Sequence, residues 1–438
     1  MSVQPLSGKG LRSTQLATAP LNIWEGSVRS TKTVASMHSW IDFVLHAPPG
    51  ELLMVGKTER TLKRNIIQPL RKMLGPQRCK WVAGEGELWI CGRLIYVVGA
   101  NNEGSAGKIQ GMSLVGAYVD EAALVPESFW LMLLTRLSEP GARLFATSNP
   151  DSPEHWLMRD FLSRASLHLD HDGTEHRFDA DDRLDLHRFS FNLDDNPHLP
   201  AAYVAGLRAM FSGLWFKRYI LGLWVIADGV IWDMWDEQAH VTDVLPTMRD
   251  YILAIDYGTA GVFAALLLGR GADDRIYVCA EWRWEAKTER RQLTDVEYSR
   301  RLRAWLDDLD PATNAIKSTL PGARTPSFVA VDPSASSFIA QLHADGWIHV
   351  RGADNAVADG LRTVGSLMAI DRIRVHSSCT GLRREIPGYM WDPKSQKIGE
   401  DRPIKADDHS CDAFRYGVRQ GRRWWRHWLV EGADLDAD

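Results

Sequence analysis

Residues 26–33, Gly-Ser-Val-Arg-Ser-Thr-Lys-Thr, constrain the fold of this chain more than any other stretch. They follow a short apolar run, "LNIWEG" (21–26), and precede apolar residues at helical spacing (Met37, Trp40, Ile41, Val44, Leu45), so the chain passes from strand through loop to helix. Such a loop turns backbone N–H groups at a helix N-terminus toward phosphate oxygens, lets a lysine reach the β- and γ-phosphates of ATP, and offers a hydroxyl to Mg²⁺. Gly26, Ser27, Arg29, Ser30 and Thr31 form the predicted cradle, with Lys32 as the phosphate-binding lysine and Thr33 as the Mg²⁺ ligand. Thr31 stands where these loops carry a second glycine. Taken alone, the stretch also reads as an ordinary helix start capped by Ser30 or Thr31.

The sequence that follows supplies the missing parts of an ATPase. An apolar run (51–56) leads into a basic amphipathic helix (59–74), a hairpin around Gly92, a buried strand "LVGAYVDEA" (114–122), a helix (126–137) and a strand "ARLFATSNP" (142–150). This alternation predicts an α/β domain with a mostly parallel sheet covered by helices, and ligands in such sheets bind at the carboxyl ends of the strands. Asp120 leaves its strand where it can hold Mg²⁺ through water, and Glu121 where it can orient or deprotonate the attacking water. Thr147, Ser148 and Asn149 end the next strand with short polar side chains suited to sensing the γ-phosphate. Arg29, Arg136 and Arg143 are alternative cations for the transferring phosphoryl group.

At 438 residues the chain has room for two or three cores. Five cysteines without a CxxC pair argue against a disulfide framework or structural zinc and for a reducing compartment, and no apolar run is long enough to span a membrane. A net charge of -5 means that any grip on nucleic acid comes from local basic patches. The acid- and histidine-rich stretch 166–188 is expected to be a polar surface excursion, and "SGLWFKRYILGLW" (212–224) an aromatic helix in a linking subdomain. The expected division is 1–165 ATPase core, 166–240 linking subdomain, and 241–438 a second domain.

Three antiparallel strands are predicted over 250–284, with Asp256 inside the first. A carboxylate in an apolar strand is costly unless paired or bound to metal. Asp332 ends a later strand, and on the helix over 405–418 Asp408, His409 and Asp412 share a face. Asp256, Asp332 and Asp412, from two strands and a late helix, make an oxygen-donor set for Mg²⁺ or Mn²⁺ of the ribonuclease H-like kind, a mixed-sheet nuclease. Asp408 is an alternative ligand or a helix cap, and His409 a proton shuttle or a supporting residue. The basic, tryptophan-rich stretch 415–428 suits contact with DNA or a partner, or a plain terminal helix.

In its motifs, "GSVRSTKT", "YVDEA", "TSNPDSPEHWL", "AIDYGT", "VDPSASSFIAQL" and "KADDHSCDAFRY", the chain resembles the large terminase subunits of tailed bacteriophages from about residue 22 to 420. The resemblance implies an N-terminal P-loop ATPase of the ASCE type followed by a C-terminal ribonuclease H-like nuclease. Lys32 and Thr33 match Walker A, Asp120 and Glu121 Walker B with the catalytic glutamate, and Thr147 to Asn149 the coupling motif. Asp256, Asp332 and Asp412 match the acidic triad, with His409 in an HxxD arrangement. The implied function is ATP-driven packaging of double-stranded DNA into a prohead with metal-dependent cutting of concatemers. The implied partners are DNA, a portal protein and a small terminase subunit, with no membrane; the motor is a ring on the portal and a monomer when free, in the host cytoplasm and transiently on the prohead. A helicase-nuclease of repair or recombination, or a docking component with decayed sites, are the rival readings. Thr31 and the position of Arg29 depart from the family pattern.

Overall fold

The computed structural model describes residues 5–82, 84–258, 261–308 and 326–429; Thr259, which closes the "AIDYGT" motif, lies outside them. Ten strands form the first sheet: β1 Leu21–Gly26, β2 Glu51–Gly56, β3 Cys79–Val82, β4 Glu87–Ile90, β5 Arg93–Gly99, β6 Leu114–Val119, β7 Arg143–Ser148, β8 Ala165–Leu169, β9 Glu175–Arg177 and β10 Leu184–Phe191. Their order is β3-β4-β5-β2-β6-β7-β1-β10-β8-β9. Pairing is parallel from β5 through to β8 and antiparallel only toward the two edges.

The central strands are apolar along their length because both faces are covered. On one face Trp24, Met54, Tyr118 and Phe145 pack with Trp40 and Phe43 of the helix α2 (Lys32–His46), beside which lies α1 (Gly8–Leu16). On the other face Ile23, Leu53, Val119 and Ala146 pack against Phe129 and Trp130 of α3 (Glu127–Arg136). Alternation along each strand thus serves two cores, and the carboxyl ends of β6, β7 and β1 lie side by side at one edge.

The stretch expected to be a polar excursion is a correction. Residues 165–191 supply β8, β9 and β10, and β10 is the parallel neighbour of β1. Its acids sit mainly in the turns, while Leu186, Phe189 and Phe191 are buried; counting charge over the whole window hid the period of two. The first sheet therefore runs beyond residue 165. The aromatic helix is present as α4 (Gly213–Tyr219), and its Trp215 packs, with Trp232, into an apolar cluster shared with the second sheet.

The second sheet is mixed, with β11 Val241–Thr242, β12 Met248–Asp256, β13 Val262–Gly271, β14 Ile276–Glu285, β15 Phe328–Val331, β16 Val350–Gly352 and β17 Ile373–His376 in the order β11-β17-β14-β13-β12-β15-β16. The expected antiparallel trio is β12 to β14, and β15 and β17 flank it in parallel. Helices α5 (Asp295–Asp308) and α6 (Ser336–Ala344) cover one face through Tyr298 and Phe338. Helices α7 (Val357–Ala369), α8 (Thr380–Glu385) and α9 (His409–Gln420) belong to the other. The two α/β halves have the architecture of a P-loop ATPase and of a ribonuclease H-like nuclease. Among the described residues no helix is long and apolar enough to cross a membrane.

Close approach of α9 to its sheet rests on Gly417, where a Cβ would lie 2.6 Å from Leu268 Cδ1 and 3.0 Å from Ala254 Cβ. Gly417→Val is expected to cost about 1–3 kcal/mol by overpacking, read as a lower thermal midpoint.

Candidate functional site

Strand β1 ends at Gly26 with φ +132°, and a Cβ there would come within 1.9 Å of the Phe191 carbonyl oxygen, so the loop can begin only with glycine. Ser27 N–H donates to that carbonyl (2.8 Å) and Val28 N–H to the carbonyl of Tyr219 (3.1 Å), which pins the loop to β10 and to the end of α4. Arg29 (φ 57°) and Thr31 (φ 70°) both adopt left-handed backbone, a conformation that costs a non-glycine residue about 1–2 kcal/mol. Position 31 thus requires what a glycine provides, and threonine supplies it under strain. Neither Ser30 nor Thr31 caps the helix through its side chain: Ser30 Oγ donates to Ser27 O (2.8 Å) and Thr31 Oγ1 to Ser30 O.

Helix α2 begins at Lys32, whose buried Nζ donates to Ser27 O (2.7 Å) and to Asn149 Oδ1 (2.8 Å). Burial lowers the Lys32 pKa to about 8, opposed by Glu121, Asp120 and Glu25. Thr33 follows in the first turn. Asp120 is fixed by its N–H on Val55 O (2.8 Å). Thr147 Oγ1 donates to Asp120 Oδ1 (2.8 Å) and accepts from Glu121 N–H (3.2 Å), while Ser148 Oγ accepts from Ala123 N–H (3.3 Å). The predicted motifs are therefore interlocked: Thr147 and Ser148 hold the Asp-Glu corner, and Asn149 faces the lysine. Burial raises the Asp120 pKa, and burial followed by the adjacent Asp120 charge pushes Glu121 up to about 7.

Arg136 and Arg143 do not reach this edge. Arg136 ends α3 and Arg143 opens β7 beside the Phe43 ring (6.0 Å), roughly 16 Å of strand away from Ser148. Lys57 and Arg64, which sequence reasoning missed, lie close enough to Glu121 to oppose its shift. Arg64 stands in a π-helical turn, Lys63–Ile67, inside the basic helix, and no sequence signal marks such a turn. Glu25 was also missed. Fully buried at the last position before Gly26, it pairs with Arg188 (2.9 Å), accepts from Ser190 Oγ and accepts from Trp224 Nε1 (3.1 Å).

In the second half, β12 and β15 pair in parallel with Ile255 opposite Val331, and Asp332 N–H donates to Ile255 O (2.9 Å). Asp256 and Asp332 therefore end adjacent strands in register and on the same face. Helix α9 crosses that face. His409 Nδ1 lies 2.9 Å from Asp256 Oδ2, and Asp412 receives Lys405 Nζ (2.6 Å), Arg415 Nη2 (3.1 Å) and Tyr389 OH (3.2 Å). Asp408 takes the N-cap position without a side-chain cap bond and pairs with Lys405 (3.0 Å).

Burial raises the Asp256 pKa to about 6; His409 opposes the shift, and the charges of Asp412 and Asp332 add to it. The hydrogen bond to Asp256 raises the His409 pKa in turn. Asp412 stays low despite burial because Arg415 and Lys405 face it. Among the described residues no three acidic, histidine or cysteine side chains close into a ready-made metal cluster; cationic side chains stand against the carboxylates instead, as mutual repulsion of like charges requires. As donors, these carboxylate oxygens fit a hard divalent ion.

The start of α9 is itself held by buried charge. Glu385 Oε2 accepts from Ser410 N–H (2.6 Å) and Cys411 N–H (3.1 Å), and Arg283 neutralises Glu385 (2.6 Å). Of the readings offered for 415–428 (contact with DNA, docking on a partner, or a plain terminal helix), stacking or docking through Trp424 and Trp425 is corrected: both are buried, bonded to Asp250 (2.9 Å) and Val418 O (2.7 Å).

These two sites stand on a chain with recognisable relatives. A family model, "Terminase large subunit, T4likevirus-type, N-terminal", matches residues 26–239. The large terminase of a thermophilic bacteriophage is 32% identical, with a TM-score of 0.82 over 95% of this chain and 99% of that one. Its complexes with ADP and with ATP-gamma-S match at 32% identity, with TM-scores of 0.80 and 0.79, each over 94% of this chain and 98% of the other. No curated protein matches. The chain belongs to the phage large terminase family.

Glu121 gives a test of this strand edge by pH. Its folded pKa of about 7 exceeds the ordinary 4.5, so the folded state binds the proton more tightly and loses stability as pH rises through that window. Glu121→Gln, which does not titrate, should therefore raise the melting temperature of nucleotide-free protein at about pH 8 and give much less gain at about pH 5.

Proposed function

We propose that this chain is a DNA-packaging motor and nuclease: ATP hydrolysis at the first edge drives double-stranded DNA into a prohead, and the second cuts concatemeric DNA. The observation that carries this reading is the interlock of Lys32, Asn149, Thr147, Asp120 and Glu121 on adjacent strand ends, in a chain that also pairs Asp256 with Asp332. A relative that matches almost end to end has structures with ADP and with ATP-gamma-S, which supports nucleotide use here.

In this reading the Gly26–Thr31 backbone and Lys32 hold the phosphates, and Thr33 and Asp120 hold Mg²⁺. Glu121 takes a proton from the attacking water, a role its pKa of about 7 suits. Lys57, Arg64 and Arg29 are the cations available to the γ-phosphate. On hydrolysis Asn149, which otherwise bonds Lys32, reports the change to the segment after β7.

At the other site Asp256, Asp332 and Asp412 would hold Mg²⁺ or Mn²⁺, with Asp408 at the rim. Such ions, when bound, activate water and stabilise the leaving 3′ oxygen of a phosphodiester. His409 orients Asp256 and can carry a proton, while Arg415 and Tyr389 fix the Asp412 carboxylate. A ring of copies docked on a portal protein, with a small subunit presenting DNA, is the assembly in which one such motor encloses a duplex.

Separate sites predict separable losses. Lys32→Ala should abolish ATP hydrolysis but leave Mn²⁺-dependent plasmid nicking measurable, whereas Asp256→Ala should abolish nicking and spare hydrolysis. Glu121→Gln should lower the kcat of hydrolysis by about 10²–10⁴-fold while nucleotide binding persists. Loss of both activities from either Lys32→Ala or Asp256→Ala would contradict the assignment, and unwinding of a forked duplex would favour a helicase.

A further inference from the structure

One buried arginine touches both halves of the molecule. Arg218, on α4, is 3% exposed at its side chain and spends its donors on three partners. Nε and Nη2 donate to Val225 O (3.3 and 2.7 Å), and Nη1 meets Asp151 Oδ1 (3.1 Å) and donates to Asp401 Oδ2. A planar guanidinium suits this branched arrangement, in which a lysine could not reproduce the contacts.

The two carboxylates belong to different sites. Asp151 lies two residues beyond Asn149, the residue that accepts from Lys32 Nζ (2.8 Å). Asp401 opens the segment that leads to the acidic cluster: Arg402 O accepts from Asp392 N–H (2.8 Å), Ile404 N–H donates to Met390 O (2.9 Å), and Lys405 reaches Asp408 and Asp412. Gly399, just before it, rests on the backbone of the first half, where a Cβ would come 2.8 Å from His155 Cα. The α4 end also accepts from the phosphate loop itself, through Tyr219 O and Val28 N–H (3.1 Å). Side-chain contacts at Lys32–Asn149, Asp151–Arg218–Asp401 and Lys405–Asp412, joined by the short backbone stretches 149–151 and 401–405, therefore lead from Lys32 to Asp412.

We propose that Arg218 is a positioning residue that transmits nucleotide state to the nuclease cluster through Asp151 and Asp401. The proposal rests on the two-site reading above. Phosphate competes with Asn149 for Lys32, which frees the 149–151 segment and loosens the hold of Asp151 on Arg218. The 399–408 segment is then held by an Arg218 that Asp151 no longer positions, and Lys405, Asp408 and Asp412 are less well ordered for cutting. Contiguity alone does not establish coupling, so the measurement is of coupling itself.

Plasmid nicking with Mn²⁺ is compared with and without ATP-gamma-S, and backbone hydrogen exchange over 399–408 is followed under the same two conditions. In the wild-type chain the nucleotide should slow nicking by about fivefold or more, the lower end of ordinary coupling, and should speed exchange in that segment. Asp401→Asn leaves Arg218 with Asp151 and Val225 O; it should retain ATP hydrolysis and a cooperative melt, but respond to nucleotide in neither assay. Nucleotide-insensitive exchange in the wild-type chain, or an Asp401→Asn response equal to wild type, overturns the proposal. Absence of nicking under every condition would instead overturn the nuclease assignment, and the exchange experiment would still decide whether the link operates.

Discussion

Like charges held at the ends of paired strands are the constraint on which the rest of the structure depends. Parallel pairing sets neighbouring strand ends about 5 Å apart, so Thr147 at the end of β7 reaches Asp120 at the end of β6, and Asp256 stands beside Asp332. Burying such carboxylates is unfavourable unless donors or cations surround them. Thr147 and the buried Lys32 answer that requirement at the first edge, and His409, Lys405 and Arg415 answer it at the second. The raised acid pKa values of Asp120, Glu121 and Asp256 show that the compensation is incomplete.

Each edge also needs a rigid support behind it. Glu25 and Arg188 form a buried pair under the phosphate loop, and Glu385 with Arg283 grips the first turn of α9. In both pairs the glutamate is fully buried, so removing the arginine strands a buried charge, a larger penalty than the pair contributes as a net gain. Their role is to fix geometry: the backbone that carries Lys32 in one case, the helix that carries His409 and Asp412 in the other.

The two domain types were legible in the sequence because their strands and helices have different periods and their motifs fall at strand ends. The P-loop spacing, the Asp-Glu pair after an apolar strand and the "TSNP" turn each lie within a few residues, so local pattern sufficed. The stretch 165–191 was misjudged because acidic turns outweighed two short buried strands in any window average. Arg64 was hidden by a π-helical turn, and Arg136 and Arg143 looked suitable only because sequence proximity to a motif does not say which end of a strand or helix a residue occupies. Trp424 and Trp425 resembled a stacking platform until the packing around them was known.

By itself the sequence determined the order of the elements, the glycine at position 26 and the acids that end β6, β12 and β15, since these follow from local backbone preference and hydrophobic alternation. Only the tertiary structure decided that Thr31 takes a glycine's conformation, that Asn149 meets Lys32, that Asp256 and Asp332 share a register, and that Arg218 lies between Asp151 and Asp401. Those relations join residues tens to hundreds of positions apart. They are set by strand order and by the desolvation of charge, neither of which a local window contains.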